Sequence, residues 1–246
     1  MNKKHHTIAF LWVGNNIEIP NALVSSIRLV MGNNVNVVQL TDGSSQKVDK
    51  VDSVKRYDLP NQIMLARLMA YSKFEPETHY TFFCDADSLF VNKLVIPEDT
   101  LEYILLTPRQ QDFLMNHNFP EYYEEFVGKR ANEVMRFLFG AIITKNNQQF
   151  FFKNLLDTCL QLPPRFHRWY GDQYALNKII QRGFDKYEEL NSNIYLSIIR
   201  EPLNHEYLKE LLEKKVQFIT FKGPQAKIFI KNSLNILEEY YSHNNI

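Results

Sequence analysis

The chain has 246 residues, of which 45% are hydrophobic and 23% charged, and its 28 basic side chains balance 28 acidic ones. This composition is typical of a globular protein and excludes wholesale disorder. The lack of a basic excess argues against a nucleic-acid-binding protein. Two cysteines, Cys84 and Cys159, are too few for a disulfide framework or a four-thiolate zinc site. Cys84 lies in an apolar run and is predicted to be a buried thiol.

No apolar run reaches the ~20 residues that span a bilayer. The apolar stretch from Ile8 to Val13 is too short for a signal peptide. These features predict a cytoplasmic protein. Because the sequence shows no repeat, low-complexity linker or sharp shift in composition, residues 1–246 are predicted to form one domain.

Strands and helices are predicted to alternate along the first half of the chain. The predicted strands cover residues 7–13, 35–40, 51–57 and 80–84, and the predicted helices cover 21–31 and 63–74. This alternation predicts an α/β fold with a central, mostly parallel sheet flanked by helices. The less regular second half has predicted strands at 101–106 and 137–144, predicted helices at 148–160 and 172–181, and an amphipathic helix in the C-terminal segment 227–246.

Two acids, Asp85 and Asp87, directly follow the apolar strand predicted at 80–84. Unpaired carboxylates are too costly inside a buried strand, so they are expected at its carboxyl end, where open α/β sheets bind ligands. Asp-x-Asp spacing suits Mn²⁺ or Mg²⁺, which prefer carboxylate oxygens and keep positions for a diphosphate. The alternative is that both acids only begin a surface turn or cap a helix.

Four further motifs surround the acidic pair in the sequence. Arg67-Leu68 lies on the helix before the strand, and an apolar segment with an embedded glycine, Phe139-Gly140-Ala141, follows later. Gly171-Asp172-Gln173 begins a predicted helix, and Lys222-Gly223 precedes Lys227 near the end. Taken singly, each has a simpler explanation: a surface charge for Arg67, a helix N-terminus for Asp172, and a solvated loop for the lysines.

In this order the motifs resemble those of GT-A glycosyltransferases and are most similar to the glycogenin-like group, which includes bacterial lipopolysaccharide galactosyl- and glucosyltransferases. The resemblance covers roughly residues 7–230. It implies a GT-A, Rossmann-like fold with an Asp-x-Asp motif.

The resemblance also implies roles for the motifs around the donor sugar. Asp85 and Asp87 would hold Mn²⁺ or Mg²⁺ on the donor diphosphate, with Ala86 in the same donor site. Asp172 would contact sugar hydroxyls, and Gln173 would lie beside the anomeric carbon. The remaining residues of the implied sugar site are Arg67, Phe139, Gly140 and Ala141.

Two further regions are implied to bind the nucleotide. Gly223 and the lysines Lys222 and Lys227 would close over the diphosphate, and Asn16 would contact the base. The sequence departs from the group in two places, because Ile17 replaces a base-stacking tyrosine and Thr220 replaces a metal-binding histidine.

The activity implied is transfer of a sugar from a nucleoside-diphosphate sugar, most often a UDP-sugar, to a hydroxyl of a glycan or lipid-linked glycan. Retention of anomeric configuration and a role in bacterial lipopolysaccharide or capsule synthesis are implied as well. One alternative is a non-catalytic GT-A-like module that binds a nucleotide sugar or glycan. Another is a sugar nucleotidyltransferase, although its glycine-rich basic N-terminal loop is missing.

Three secondary hypotheses concern other residues. Trp169 stacks on a sugar or lies in the core, and His205 is a candidate third metal ligand by elimination. Lysines near the C-terminus form either a peripheral membrane contact with anionic lipid-linked glycans or a solvated helix face, and the aromatic residues among them are Phe218, Phe221, Phe229 and Tyr240.

Overall fold

The computed structural model describes residues 6–97, 104–115, 120–145, 149–221 and 225–243. Its strands are β1 (His6–Leu11), β2 (Asn36–Thr41), β3 (Ser53–Arg56), β4 (Tyr80–Cys84), β5 (Ser88–Phe90), β6 (Ile104–Pro108), β7 (Phe137–Lys145), β8 (Tyr187–Glu189), β9 (Ser197–Ile199) and β10 (Phe218–Phe221). Its helices are α1 (Glu18–Met31), α2 (Ile63–Lys73), α3 (Tyr123–Phe126), α4 (Ala131–Val134), α5 (Gln149–Leu160), α6 (Gly171–Gln181), α7 (Ser192–Tyr195), α8 (His205–Glu213) and α9 (Ala226–His243).

The central sheet has seven strands in the order β3-β2-β1-β4-β7-β6-β8. Within it, β7 runs antiparallel to both of its neighbours, and the other neighbouring pairs are parallel. Strands β1, β2 and β4 are buried over most of their length because both faces of the sheet are covered. The predicted α/β fold with a mostly parallel central sheet is therefore confirmed.

Two hydrophobic cores lie on opposite faces of this sheet. Helices α2, α5 and α6 pack together on one face. The other face is covered by α1, α8, α9 and a small sheet in the order β5-β10-β9. The side chains of β4 divide between the two cores, since Phe82 and Cys84 join one and Phe83 joins the other.

The C-terminal third differs most from the sequence-based expectation. Helix α8 was not predicted, although it buries Leu208 and Leu211 and begins after Asn204, whose side chain accepts a hydrogen bond from the Tyr207 backbone N–H at 2.8 Å. Strands β5, β9 and β10 also lie where no strand was predicted. Strands of three or four residues are too short to show a repeat of two in their sequence.

Two of the aromatic residues of the hypothesised C-terminal patch lie in the core. Phe218 and Phe221 are fully buried in β10, so they present no surface to a membrane. The Lys214 ammonium lies 2.5 Å from Glu210, one turn earlier on α8, which is the arrangement of a solvated helix face. Within the described ranges, no helix combines the length and the apolar character needed to cross a bilayer.

The start of α6 is packed too tightly for any side chain at Gly171. A Cβ atom there would lie 2.2 Å from the Phe166 carbonyl oxygen and 2.9 Å from the Cys159 Sγ. Gly171→Ala is therefore expected to lower the free energy of unfolding by about 1–3 kcal/mol, the usual cost of overpacking. Urea denaturation measures this loss.

The matched control is Gly43→Ala, because a Cβ at Gly43 would meet no atom within 4 Å. This control is expected to change the free energy of unfolding by less than about 1 kcal/mol. Equal losses in the two variants would contradict the close packing at the start of α6.

Candidate functional site

A single arginine joins three elements at the carboxyl end of β4. The Arg67 guanidinium of α2 donates a hydrogen bond of 2.8 Å from Nη1 to Asp172 Oδ2 in α6, and the same nitrogen lies 3.2 Å from Asp85 Oδ1, just after β4. The side chains of Arg67, Asp85 and Asp172 are 18%, 15% and 1% exposed. Arg67 is therefore not a surface helix charge, and it compensates two carboxylates that are largely shielded from water.

Burial and charge act in opposite directions on this cluster. Burial raises the pKa of Asp172 above its ordinary value, and the nearby Arg67 only partly offsets that effect. Burial alone would lower the pKa of Arg67, but the carboxylates of Asp85 and Asp172 outweigh it and hold that pKa above its usual value. The pKa of Cys84 is also raised, by burial and by the adjacent acids, so this buried thiol stays neutral.

Gly140 lets the Asp85 carboxylate approach the backbone of β7. A Cβ atom at Gly140 would lie 2.6 Å from Asp85 Oδ2, which is closer than real Cβ contacts allow. The Asp85 backbone N–H donates to the Gly140 carbonyl at 3.3 Å, so the two residues also meet through their main chains. Any other residue at position 140 would therefore displace the Asp85 carboxylate from this position.

A β-bulge occurs at the same place and was not predicted. Leu106 of β6 pairs with Ile142 of β7, but the next residue, Thr107, pairs with Leu138, so residues 139–141 have no partner on β6. The buried Thr107 hydroxyl donates to the carbonyl of Ala141, inside the bulge, at 2.9 Å. The bulge therefore bends the middle of β7 beside Asp85.

The side chains of the other two bulge residues lie in the core. Phe139 is 1% exposed, packs on Tyr71 and lies with its ring centroid 5.7 Å from the Arg67 guanidinium carbon. Ala141 is fully buried and pairs with Cys84 of β4. Of this segment, Gly140 is the residue in contact with Asp85, and the predicted sugar contacts of Phe139 and Ala141 stay predictions.

The start of α6 presents Asp172 and Gln173 to the cluster. The residue before the helix, Tyr170, has a left-handed backbone with φ of 63°, which is uncommon for a residue with a side chain. Asp172 Oδ1 accepts the Gln173 backbone N–H at 2.7 Å, while Oδ2 binds Arg67. Gln173 is half-buried, and its Oε1 accepts a hydrogen bond of 2.6 Å from Arg109 Nη2.

Arg109 was missed by the sequence-based reasoning. It directly follows β6 in a stretch with no periodic pattern, and it contacts a residue 64 positions away. Its position just after a strand end is the one available signal, because ligand-binding residues of open α/β sheets lie there.

Asp87 is half-buried on the short turn between β4 and β5, as is Asp85, and the Ala86 between them is buried. The Asp87 carbonyl accepts the Phe221 N–H at 3.1 Å and the Thr220 hydroxyl at 3.4 Å. Thr220 stands where the resemblance has a histidine, and it is 2% exposed. These contacts fix the turn against β10.

The donor set fits a metal that is shared with a ligand. Across the part of the chain that the structure describes, no three histidine, cysteine, aspartate or glutamate side chains cluster as a metal site. Mg²⁺ needs fewer protein ligands, because it is commonly held by one or two carboxylates together with substrate phosphates and water. Asp85 and Asp87 could supply those carboxylates.

Other residues singled out in the sequence lie apart from the cluster or outside the described ranges. The Asn16 side chain is exposed and accepts a hydrogen bond of 3.1 Å from the backbone N–H of Glu18, the first residue of α1. His205 lies 3.2 Å from Glu239 and not beside the acidic pair, so its selection as a metal ligand was wrong. Trp169 is 57% exposed, which excludes the core alternative. Lys222 and Gly223 lie outside the described residues, as does the side chain of Lys227.

The fold has counterparts among solved structures. Two crystal structures of the glycosyltransferase GlyE of Streptococcus pneumoniae TIGR4, one of them the apo-form, align with TM-scores of 0.55 and 0.56 at 13% sequence identity. The alignments cover 98% of this chain and 64% of GlyE. The chain has a glycosyltransferase fold.

The sequence comparisons do not detect this likeness. The sequence matches none of the protein-family models, and none of the curated proteins matches it. The chain spans 64% of the length of the GlyE chains that it matches. The Arg67 cluster lies at the carboxyl end of β4, the edge at which such sheets bind ligands.

Replacement of Arg67 by methionine is expected to leave two shielded carboxylates without their shared cation. The expected loss in free energy of unfolding is about 3–5 kcal/mol at neutral pH. The pKa of Asp172 is higher in the folded protein than in the unfolded chain. Protonated Asp172 therefore contributes to stability below the unfolded pKa, and this contribution is lost as the pH rises. Removing Arg67 raises that pKa further, so the loss is expected to be larger at pH ~8 than at pH ~5.

Urea denaturation of the metal-free protein at both pH values measures this difference. The control is Arg136→Met, which removes a half-exposed arginine paired with Glu189 and is expected to cost at most about 1 kcal/mol. A loss in Arg67→Met that is the same at both pH values would contradict the electrostatic explanation.

Proposed function

We propose that this protein is a glycosyltransferase that moves a sugar from a nucleoside-diphosphate sugar to a hydroxyl of a glycan acceptor. The observation that carries the proposal is the Arg67–Asp85–Asp172 cluster beside Gly140, at the carboxyl end of β4 in a glycosyltransferase fold. This cluster combines hydrogen-bonding groups that suit sugar hydroxyls with a glycine that leaves room for the Asp85 carboxylate.

In the proposed reaction the bond between the anomeric carbon and the diphosphate oxygen breaks, and its electron pair leaves with the diphosphate. The acceptor oxygen bonds to the same carbon, and the acceptor proton passes to the departing phosphate. Mn²⁺ or Mg²⁺ held by Asp85 and Asp87 would supply positive charge to the leaving diphosphate. Lys222 and Lys227 would add to that charge, and Gly223 would let the backbone approach the phosphates.

Arg67 would orient the sugar by donating hydrogen bonds to its hydroxyls. Asp172 is 1% exposed, so instead of the implied direct contact with the sugar it would hold Arg67 in place. Gln173, next to Asp172 in α6, would lie beside the anomeric carbon. Retention is proposed on the resemblance to the glycogenin-like group. Since a neutral amide is a poor nucleophile, we propose that the acceptor attacks from the same face that the diphosphate leaves, without a covalent intermediate. Phe139 and Ala141 would hold Gly140 in place from the core.

Further parts of the proposal rest on the resemblance to the glycogenin-like GT-A group alone. They are a single-domain GT-A enzyme, a UDP-sugar as donor with Asn16 near the base, and a glycan or lipid-linked glycan as acceptor. A role in bacterial surface polysaccharide synthesis in the cytoplasm, beside the inner membrane, belongs to the same group of proposals.

A panel of nucleotide sugars tests this function. Isothermal titration and release of the nucleoside diphosphate are measured with and without Mn²⁺ for the wild type, Asp87→Asn and Gln173→Ala. Loss of a metal ligand is expected to weaken Mn²⁺-dependent binding at least ~10-fold, since even outer-shell changes cost that much. Gln173→Ala is expected to keep binding and to lose turnover.

Asp157→Asn is the matched control, because Asp157 is an exposed acid paired with Lys153 on α5. It is expected to bind and turn over the donor as the wild type does. Failure of the wild type to bind any nucleoside-diphosphate sugar would rule out the proposed function, and unchanged metal dependence in Asp87→Asn would rule out the metal assignment. The anomeric configuration of the product, read by NMR, tests retention.

A further inference from the structure

Arg109 is a largely buried cation whose side chain is held by neutral oxygens. Its Nε donates to the Met135 carbonyl at 2.9 Å, and its Nη2 donates to Gln173 Oε1 at 2.6 Å. Burial lowers the pKa of Arg109, but an arginine remains charged in proteins. The guanidinium therefore keeps its full set of donors beside the amide of Gln173.

The backbone around Arg109 is fixed from both sides. The Arg109 N–H donates to the Arg136 carbonyl at 2.8 Å, which ties the end of β6 to the residue before β7. The chain between them is pinned to α6, since the Asn177 side chain donates to the Glu133 carbonyl at 2.8 Å. Gln173 and Asn177 lie one helical turn apart on the same face of α6. The Arg109–Arg136 hydrogen bond and the Asn177–Glu133 hydrogen bond therefore fix the distance between Arg109 and Gln173.

This contact decides which end of the Gln173 amide faces Arg109. An arginine side chain carries donors and no acceptor, whereas a glutamine amide has one oxygen that accepts and one NH₂ that donates. The oxygen must therefore face Arg109, and a reversed amide would bring N–H groups against N–H groups. The NH₂ of Gln173 is left as the end that is available to a ligand.

We propose that Arg109 is a positioning residue that holds the Gln173 carbonyl oxygen and turns its NH₂ toward the bound donor. This inference rests on the proposed function, because it assigns Gln173 a place beside the reacting sugar. It also refines that function. A Gln173 oxygen held by a cation is withdrawn from nucleophilic attack, and the residue acts as a hydrogen-bond donor to the oxygens of the sugar or of the departing diphosphate.

Two measurements test the inference, one of them independent of catalysis. In protein labelled with nitrogen-15 glutamine, the side-chain NH₂ signals of Gln173 are identified by their absence in Gln173→Ala. They are expected to shift in Arg109→Met and to stay in place in Arg136→Met. Arg136 is the control because its side chain pairs with Glu189.

The second measurement is steady-state kinetics with the donor that the wild type uses. Arg109→Met is expected to lower kcat by about 10²-fold, the cost of a misplaced reacting group, while KM for the donor changes by less than about 3-fold. The double variant Arg109→Met/Gln173→Ala is expected to equal Gln173→Ala alone, because the two residues act as one unit. Arg109→Lys keeps the charge without the planar fork and is expected to restore less than half of kcat.

The outcomes separate this inference from the proposed function. Unchanged Gln173 signals in Arg109→Met would overturn the inference whether or not the protein is active, and the signals of Arg109→Lys decide it if the methionine variant does not fold. Full recovery of kcat by lysine, or a raised KM with normal kcat, would also overturn it. If the Gln173 signals shift in Arg109→Met but the wild type binds no nucleotide sugar, the contact is supported and the proposed function is rejected.

Discussion

The arrangement at the end of β4 depends on one cation that is shared by two carboxylates. Arg67, Asp85 and Asp172 come from three elements that are distant in the sequence, and the arginine is the group that lets both acids lie there shielded from water. Without Arg67, the carboxylates of Asp85 and Asp172 would have to move apart, take up a proton or become exposed to water. The positions of α2 and α6 relative to β4 are thus constrained by charge as well as by packing.

The neighbouring backbone accommodates this charge cluster at close range. Gly140 admits the Asp85 carboxylate where a Cβ could not fit, and Tyr170 takes a left-handed conformation just before Asp172 and Gln173. Such conformations persist only where the surroundings hold them, and they concentrate at functional sites. The left-handed backbone of Tyr170 therefore lies directly before the residues to which a reaction is assigned.

The sequence predicts the parts of this arrangement that follow from periodicity and from the cost of burying charge. Strand β4 was predicted with its observed bounds, since a largely apolar run ends abruptly at two acids. The helices predicted at 63–74 and 172–181 likewise placed Arg67 and Asp172 on helices, although the pairing between them could not be deduced without the fold.

Other parts of the site leave no local pattern in the sequence. Arg109 follows Pro108 in a stretch without periodicity, and its partner is set by the path of the chain between β6 and β7. The β-bulge is equally hidden, because Phe137–Lys145 is apolar along nearly its whole length and shows no break in alternation. A uniformly apolar strand fits several registers, and packing on both faces selects one of them.

That bulge has a consequence for how the chain can change during evolution. Each residue of the bulge is tied to another part of the molecule, since Phe139 and Ala141 lie in the two cores and Gly140 contacts Asp85. An insertion or deletion here would disturb the pairing of Ala141 with Cys84 or move the glycine away from Asp85. Homologues that keep the Asp85 carboxylate in this position are therefore expected to keep the length of this segment.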